Sequence, residues 1–309
     1  MNRLDGKVAI VFGGGPNIGG TIAHFLGREG ARVAICDLKA EVASETAEFL
    51  KSRGCEAFGL PCNAVEEGDV VRVVAETVKR YGHLDIVMNM AGKVHWSSVL
   101  DMDVNVWREA VLSFPTAGML TTKNSAKAMI AAGRRGSIIH LLSTAAHFGE
   151  AAGSAYTAAK AALLNFSRSA AMDLAHEGIR VNTITPCAME HQLWTNMKDE
   201  IFDPAFVRPN RRSFYSRDDY LKMIPLERFP RASDLAWAAV FLASEESSFL
   251  TGVDIPVDGG LRFKYPTWRP GDYTGVNIGD YAKSINLTRY GEEQGKLLPD
   301  APSAPRSGR

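Results

Sequence analysis

Tyr156 and Lys160 stand four residues apart in the run Tyr-Thr-Ala-Ala-Lys. On a helix this spacing puts both side chains on one face, one turn apart. A free phenol has a pKa of ~10 and is a poor base at neutral pH. A neighbouring ammonium favours the phenolate and lowers that value. Bringing the phenol to pH 7 takes about 4 kcal/mol from its surroundings, at ~1.4 kcal/mol per unit. A Tyr-x-x-x-Lys pair alone is common on protein surfaces. Ser143 changes its meaning here, because it precedes Tyr156 by thirteen residues and closes an apolar run.

A second group of residues suits phosphate. The run GGGPNIGG (13–20) follows the apolar segment KVAIVF (7–12) and opens a helical pattern. Glycines at a strand-to-helix turn let the backbone approach a pyrophosphate, and the helix N-terminus offers free N–H groups. Asp37 ends the second apolar run, where a carboxylate can accept from both hydroxyls of an adenosine ribose. It would repel a 2′-phosphate, so NAD is favoured over NADP; a helix-capping Asp is the plainer alternative.

The elements that must carry these groups alternate. Apolar runs at 7–12, 31–37, 57–62, 84–89, 136–142, 179–184 and 254–257 read as strands. Helical patterns fall between them at 18–29, 39–53, 66–81, 104–132, 154–177 and 233–243. Such alternation predicts β-α-β units and a parallel sheet covered on both faces. Two stretches break the rhythm. Residues 188–232 are rich in aromatics, arginine and proline, and are expected to form a substrate loop. Residues 261–309 form a C-terminal extension. Its aromatic first part is expected to pack on the body, and its last part to be disordered.

In this order and register the motifs resemble those of the short-chain dehydrogenase/reductase family. The resemblance covers about residues 4–187 and 225–260. It runs through the glycine turn, Asn63, Asn89-Met90-Ala91-Gly92, Ser143, Tyr156, Lys160, Asn182 and Pro186. It implies an α/β fold with a Rossmann-like, doubly wound, parallel seven-stranded sheet and helices on both faces. It also implies a single catalytic domain over 1–260 and assembly as a homodimer or homotetramer through the helices at 104–132 and 154–177. The implied chemistry is hydride transfer between a nicotinamide cofactor and a secondary alcohol or ketone, an activity on CH–OH groups. In that scheme Tyr156 is acid/base, Ser143 holds the substrate oxygen, and Lys160 tunes Tyr156 and binds ribose hydroxyls. The implied NAD site comprises Gly13, Gly15, Asn17, Ile18, Gly19, Asp37, Leu38, Asn63, Asn89, Ala91, Gly92, Tyr156, Lys160, Pro186 and Met189.

Three departures from the family pattern bear on that reading. Asn17 stands for a glycine, and asparagine best tolerates a left-handed backbone. Phe114 stands for an asparagine in the helix at 104–132, and Pro115 after it should kink the helix and free a carbonyl near Val111. That carbonyl could hold a proton-feeding water for Lys160, or the change could be packing alone. Cys187 follows Pro186 where the family has glycine. His95, His147, His191 and Trp194 are candidates for the substrate pocket, each more readily wall than catalyst.

Composition excludes other classes. Lys+Arg and Asp+Glu are 35 each, so the balance is zero and nothing draws the chain toward nucleic acid or anionic membrane. The densest basic patch, Arg208, Arg211, Arg212 and Arg217, reads as a solvated loop. No apolar run approaches the ~18 residues that span a bilayer. Four cysteines without a C-x-x-C pair read as reduced thiols, no His/Cys spacing suits a metal, and a cytoplasmic protein is expected. The sequence therefore predicts an NAD-dependent dehydrogenase for a small-molecule substrate. A catalytically weak NAD-binding regulatory protein, or dehydratase or epimerase chemistry on the same fold, are the alternatives.

Overall fold

The computed structural model describes residues 2–189 and 217–264. Seven strands form one sheet in the order β3-β2-β1-β4-β5-β6-β7. They are β1 (Val8–Phe12), β2 (Arg32–Asp37), β3 (Ala57–Pro61), β4 (Ile86–Asn89), β5 (Gly136–Leu141), β6 (Ile179–Pro186) and β7 (Asp254–Val257). All pairings are parallel. The helices are α1 (Ile18–Arg28), α2 (Ala40–Ser52), α3 (Glu67–Tyr81), α4 (Val104–Ala131), α5 (Ser154–Leu174), α6 (Arg217–Lys222) and α7 (Ala232–Ala243). The short α6 lies inside the stretch that the sequence reads as one long loop.

The strands are continuous apolar runs because both faces are covered. Every residue of β1 and β4 is buried. Two apolar layers result. One packs Ile22 and Leu26 of α1 and Leu235 and Val240 of α7 against one face. The other packs Val70, Val73 and Val74 of α3 and Ala117 and Leu120 of α4 against the opposite face.

The chain order reverses direction between β1 and β4, the position at which open α/β sheets bind ligands beyond their strand ends. Phe12 at the end of β1 is paired with Asn89 at the end of β4. The two turns that follow touch: a Cβ on Gly13 would lie 2.9 Å from Met90 Cγ and 3.3 Å from Ala91 N. α4 runs unbroken through Pro115. Since proline has no N–H, the carbonyl of Val111 loses its ladder donor without ending the helix.

The described residues belong to one compact unit. Of the extension, only 261–264 are described. The Arg262 side chain is 7% exposed, its Nη1 2.8 Å from Asp254 Oδ2 and its Nε 3.0 Å from Asp258 Oδ2. Phe263, first of the aromatics expected to pack, is 73 % exposed. No helix among the described residues is long and apolar enough to cross a membrane.

Candidate active site

The β1–α1 turn is built on absent side chains. Gly13 and Gly14 N–H both donate to Cys36 O, at 2.8 and 2.9 Å, which fastens the turn to the end of β2. A Cβ on Gly19 would come within 2.1 Å of Gly13 O, and one on Gly15 within 3.0 Å of Asp37 Oδ2. The helix thus starts hard against the turn, and Gly20 N–H donates back to Gly15 O at 2.7 Å. Asn17 has φ 83° and ψ −125°. Its φ is positive as expected, but its ψ falls outside the left-handed helical basin, in a region glycine normally occupies.

Asp37 closes β2 at the mouth of this turn, and its Oδ1 accepts from Lys39 N at 3.3 Å. Leu38 beside it is 70 % exposed. Asn63 makes its own turn after β3: its N–H donates to Asp69 Oδ2 at 2.8 Å, and its Oδ1 accepts from Val65 N. Asn89 is fully buried and points inward. Its Oδ1 accepts from Ala91 N at 3.2 Å, and its Nδ2 lies 3.3 Å from His140 Nδ1. That side chain shapes the β4 turn and leaves the backbone of Ala91 and Gly92 at the surface of the site. Pro186 ends β6. Beyond it, Cys187 is buried, its thiol pushed up to about 12 by burial and then by Asp258. Ala188 N donates to Tyr220 Oη at 3.1 Å, and Met189 packs against the apolar layer beneath α1.

The second half of the site lies where α5 passes the end of β5. Ser143 follows β5 in extended backbone, and its Oγ accepts from Ala145 N at 3.2 Å, capping a 3-10 turn over Thr144–Ala146. Lys160, 3 % exposed, donates from Nζ to Leu141 O at 2.8 Å. This bond staples the helix carrying Tyr156 to the end of the strand that leads to Ser143. Burial lowers the Lys160 pKa to about 7. The Tyr156 ring stands between Trp96 and Phe114, at centroid distances of 5.4 and 5.7 Å. The Phe114 ring lies over Lys160 Nζ at 3.9 Å. It fits because Gly92 has no side chain; a Cβ there would come within 2.1 Å of the ring.

Sequence reasoning missed His140. It is fully buried on β5, between Asn89 Nδ2 and Thr122 Oγ1 (3.0 Å). Burial, with the Lys160 charge adding to it, depresses its pKa to about 3, so it is a neutral imidazole. Its partners lie on other elements, which no local spacing reveals. The loop at 93–97 is joined to the start of α5 through Ser97 N, which donates to Ala152 O at 2.8 Å. Ala152 takes φ 56° to present that carbonyl.

The pocket candidates fare unequally. Trp96, next to His95, reaches the Tyr156 ring. His147 Nε2 lies 3.1 Å from Asp254 Oδ2 on β7, within the Arg262 network. Its pKa is lowered by burial first and by Arg262 next, against the pull of Asp254. His191 and Trp194 lie outside the described residues. The four cysteines are free, buried thiols.

The family profile described as enoyl-(acyl carrier protein) reductase matches residues 15–262. The "short-chain dehydrogenase reductase 3b" of Arabidopsis thaliana is 33% identical over 265 residues, covering 85% of this chain and 98% of its own. The chain belongs to the short-chain dehydrogenase/reductase family. Within it, the sorbitol dehydrogenase of Cereibacter sphaeroides is 32% identical, covering 84% of this chain and 98% of its own. A solved short-chain type dehydrogenase/reductase from Mycobacterium marinum superposes with a TM-score of 0.73 at 27% identity, covering 85% of this chain and 97% of that one. This short-chain dehydrogenase/reductase is an oxidoreductase, and the matched region 15–262 contains Ser143, Tyr156 and Lys160 together with the glycine turn from Gly15 onward.

Proposed function

We propose that the chain is an NAD-dependent dehydrogenase of a secondary alcohol, with Tyr156 as the acid/base. The observation that carries this reading is the staple between Lys160 Nζ and Leu141 O, with Tyr156 on the same helix face and Ser143 just beyond Leu141. The glycine turn fits a dinucleotide, since Gly15 and Gly19 leave backbone where a Cβ would fill the space. Gly13, Gly15, Asn17, Ile18 and Gly19 would hold the pyrophosphate, Asp37 and Leu38 the adenosine ribose, and Asn63 the adenine. Ala91, Gly92, Pro186 and Met189 would flank the nicotinamide, and Asn89 would support that wall from below. When bound, the nicotinamide supplies the hydride acceptor.

In the alcohol-oxidising direction, Ser143 Oγ donates to the substrate oxygen and holds it beside Tyr156. The phenolate takes the hydroxyl proton while the carbinol carbon loses hydride, leaving a carbonyl. The Lys160 ammonium favours the phenolate and would hold the ribose hydroxyls. Trp96 covers one face of Tyr156 and bounds the substrate, with His95, His147, His191 and Trp194 as further wall candidates. The sorbitol dehydrogenase among the relatives favours a hydroxyl-rich alcohol. The exposed Val104, Leu112 and Met119 of α4 favour self-association as a dimer or tetramer. Light scattering that finds only monomer would reject that part. A cytoplasmic location belongs to the same reading.

The test is a screen of secondary alcohols with NAD and with NADP, followed at the reduced nicotinamide absorbance. The Asp37 carboxylate repels a 2′-phosphate, so kcat/KM is expected to be at least about tenfold higher with NAD, corresponding to ~1.4 kcal/mol. Equal efficiency with both cofactors would overturn the NAD assignment. No turnover of any alcohol by a chain that binds NAD would favour a regulatory role.

A further inference from the structure

The Lys160 ammonium sits in an environment that opposes its charge. It has three N–H groups to place. One is taken by Leu141 O. The groups packed around it supply no described countercharge. From β5 comes His140, a neutral imidazole held by Asn89 of β4 and Thr122 of α4. From its own helix comes Tyr156, whose ring centroid is 5.8 Å from Nζ. From α4 comes Phe114, whose centroid is closer, at 3.9 Å. A ring face at that distance attracts a cation, and more strongly where water is excluded. Phe114 is 3 % exposed, and the missing side chain of Gly92 keeps it in place.

We propose that Phe114 is a positioning residue for the acid–base chemistry, its ring face holding Lys160 in the charged form that the Tyr156 phenolate needs. It stands where the family pattern has a hydrogen-bonding asparagine, and answers the same buried ammonium with a quadrupole in place of a dipole. The ring also occupies the α4 side of the ammonium, so the remaining N–H is left for the Tyr156 side. This inference rests on the reading of Tyr156 and Lys160 as the acid/base pair, but its test needs no substrate.

The full chain is labelled with ¹³C at lysine Cε and titrated by carbon–proton NMR. The Lys160 signal is assigned by its loss in Lys160→Met. Phe114→Leu, which keeps apolar bulk and removes the ring face, is expected to lower the Lys160 pKa by about one unit. Phe114→Tyr, which restores the face, should leave it within a few tenths of wild type. If circular dichroism shows Phe114→Leu unfolded, Phe114→Met replaces it with the same expected drop. A Lys160 pKa that stays put or rises when the ring is removed would overturn the proposal, as would a drop in Phe114→Tyr equal to that in the aliphatic variant. The titration reads whether or not an alcohol is turned over, so its failure is distinct from failure of the dehydrogenase reading.

Discussion

The β1–α1 turn holds its shape through side chains that are missing, whereas the seam between α4 and α5 is filled with large ones. At the turn, backbone meets backbone: a Cβ on Gly19 would lie 2.1 Å from Gly13 O. At the seam, the Phe114 and Tyr156 rings flank a buried ammonium, and Trp96 packs on Tyr156. The difference follows from the two tasks. A pyrophosphate is bound by N–H groups and a helix N-terminus, so the protein must stand back from it. An acid/base must be shifted away from its solution pKa, and that requires excluded water and fixed neighbours. The turn departs from the family pattern by one strained residue, Asn17. The seam departs by exchanging one kind of electrostatic partner for another.

The largest effect is expected where the contrast is sharpest. Gly19→Ala forces a methyl group into backbone that cannot yield cheaply. NAD affinity by calorimetry should fall by at least about a hundredfold, and stability by ~2 kcal/mol, in the range of overpacking. Near-normal NAD affinity in that variant would mean that the turn does not hold the pyrophosphate.

A smaller effect is expected beneath the seam. His140 has a folded-state pKa of about 3 against an ordinary 6.5, so the unfolded chain binds more protons between those values. Stability is therefore fully present above about pH 6.5 and is lost as pH falls toward 3. At pH 5 the loss amounts to about 2 kcal/mol, at ~1.4 kcal/mol per unit. His140→Asn keeps a polar group for Asn89 and Thr122 and does not titrate. Urea midpoints at pH 8 and pH 5 should separate less in this variant than in wild type. Equal separation would show that the imidazole is not the source of the acid sensitivity.

Much of the turn was legible in the sequence, and much of the seam was not. Glycines, a helix start and Asp37 are contiguous or nearly so, and parallel strands buried on both faces announce themselves as apolar runs. Every strand was expected within two residues of where it lies. Tyr156 and Lys160 were legible because four residues make a helical turn. Phe114 was singled out only as a departure; its contact with Lys160 depends on how α4 packs on α5 and on the space left by Gly92. His140 hid in an apolar run because its partners come from β4 and α4. His147 was legible as a pocket-wall candidate, but its tie to Asp254 was not, since the return of β7 beside β6 is a matter of topology. α6 was missed because its six residues are too few to set up a helical period.

The most direct test of the account is Tyr156→Phe, which removes one oxygen from a ring that Trp96 and Phe114 hold in place. In the full chain, with the best secondary alcohol from the screen, kcat should fall by at least ~10², the lower end for general acid–base catalysis. NAD affinity by calorimetry should change less than about threefold, because the ring and the Lys160 staple remain. A variant that keeps more than a few per cent of wild-type kcat would contradict the assignment of Tyr156 as the acid/base.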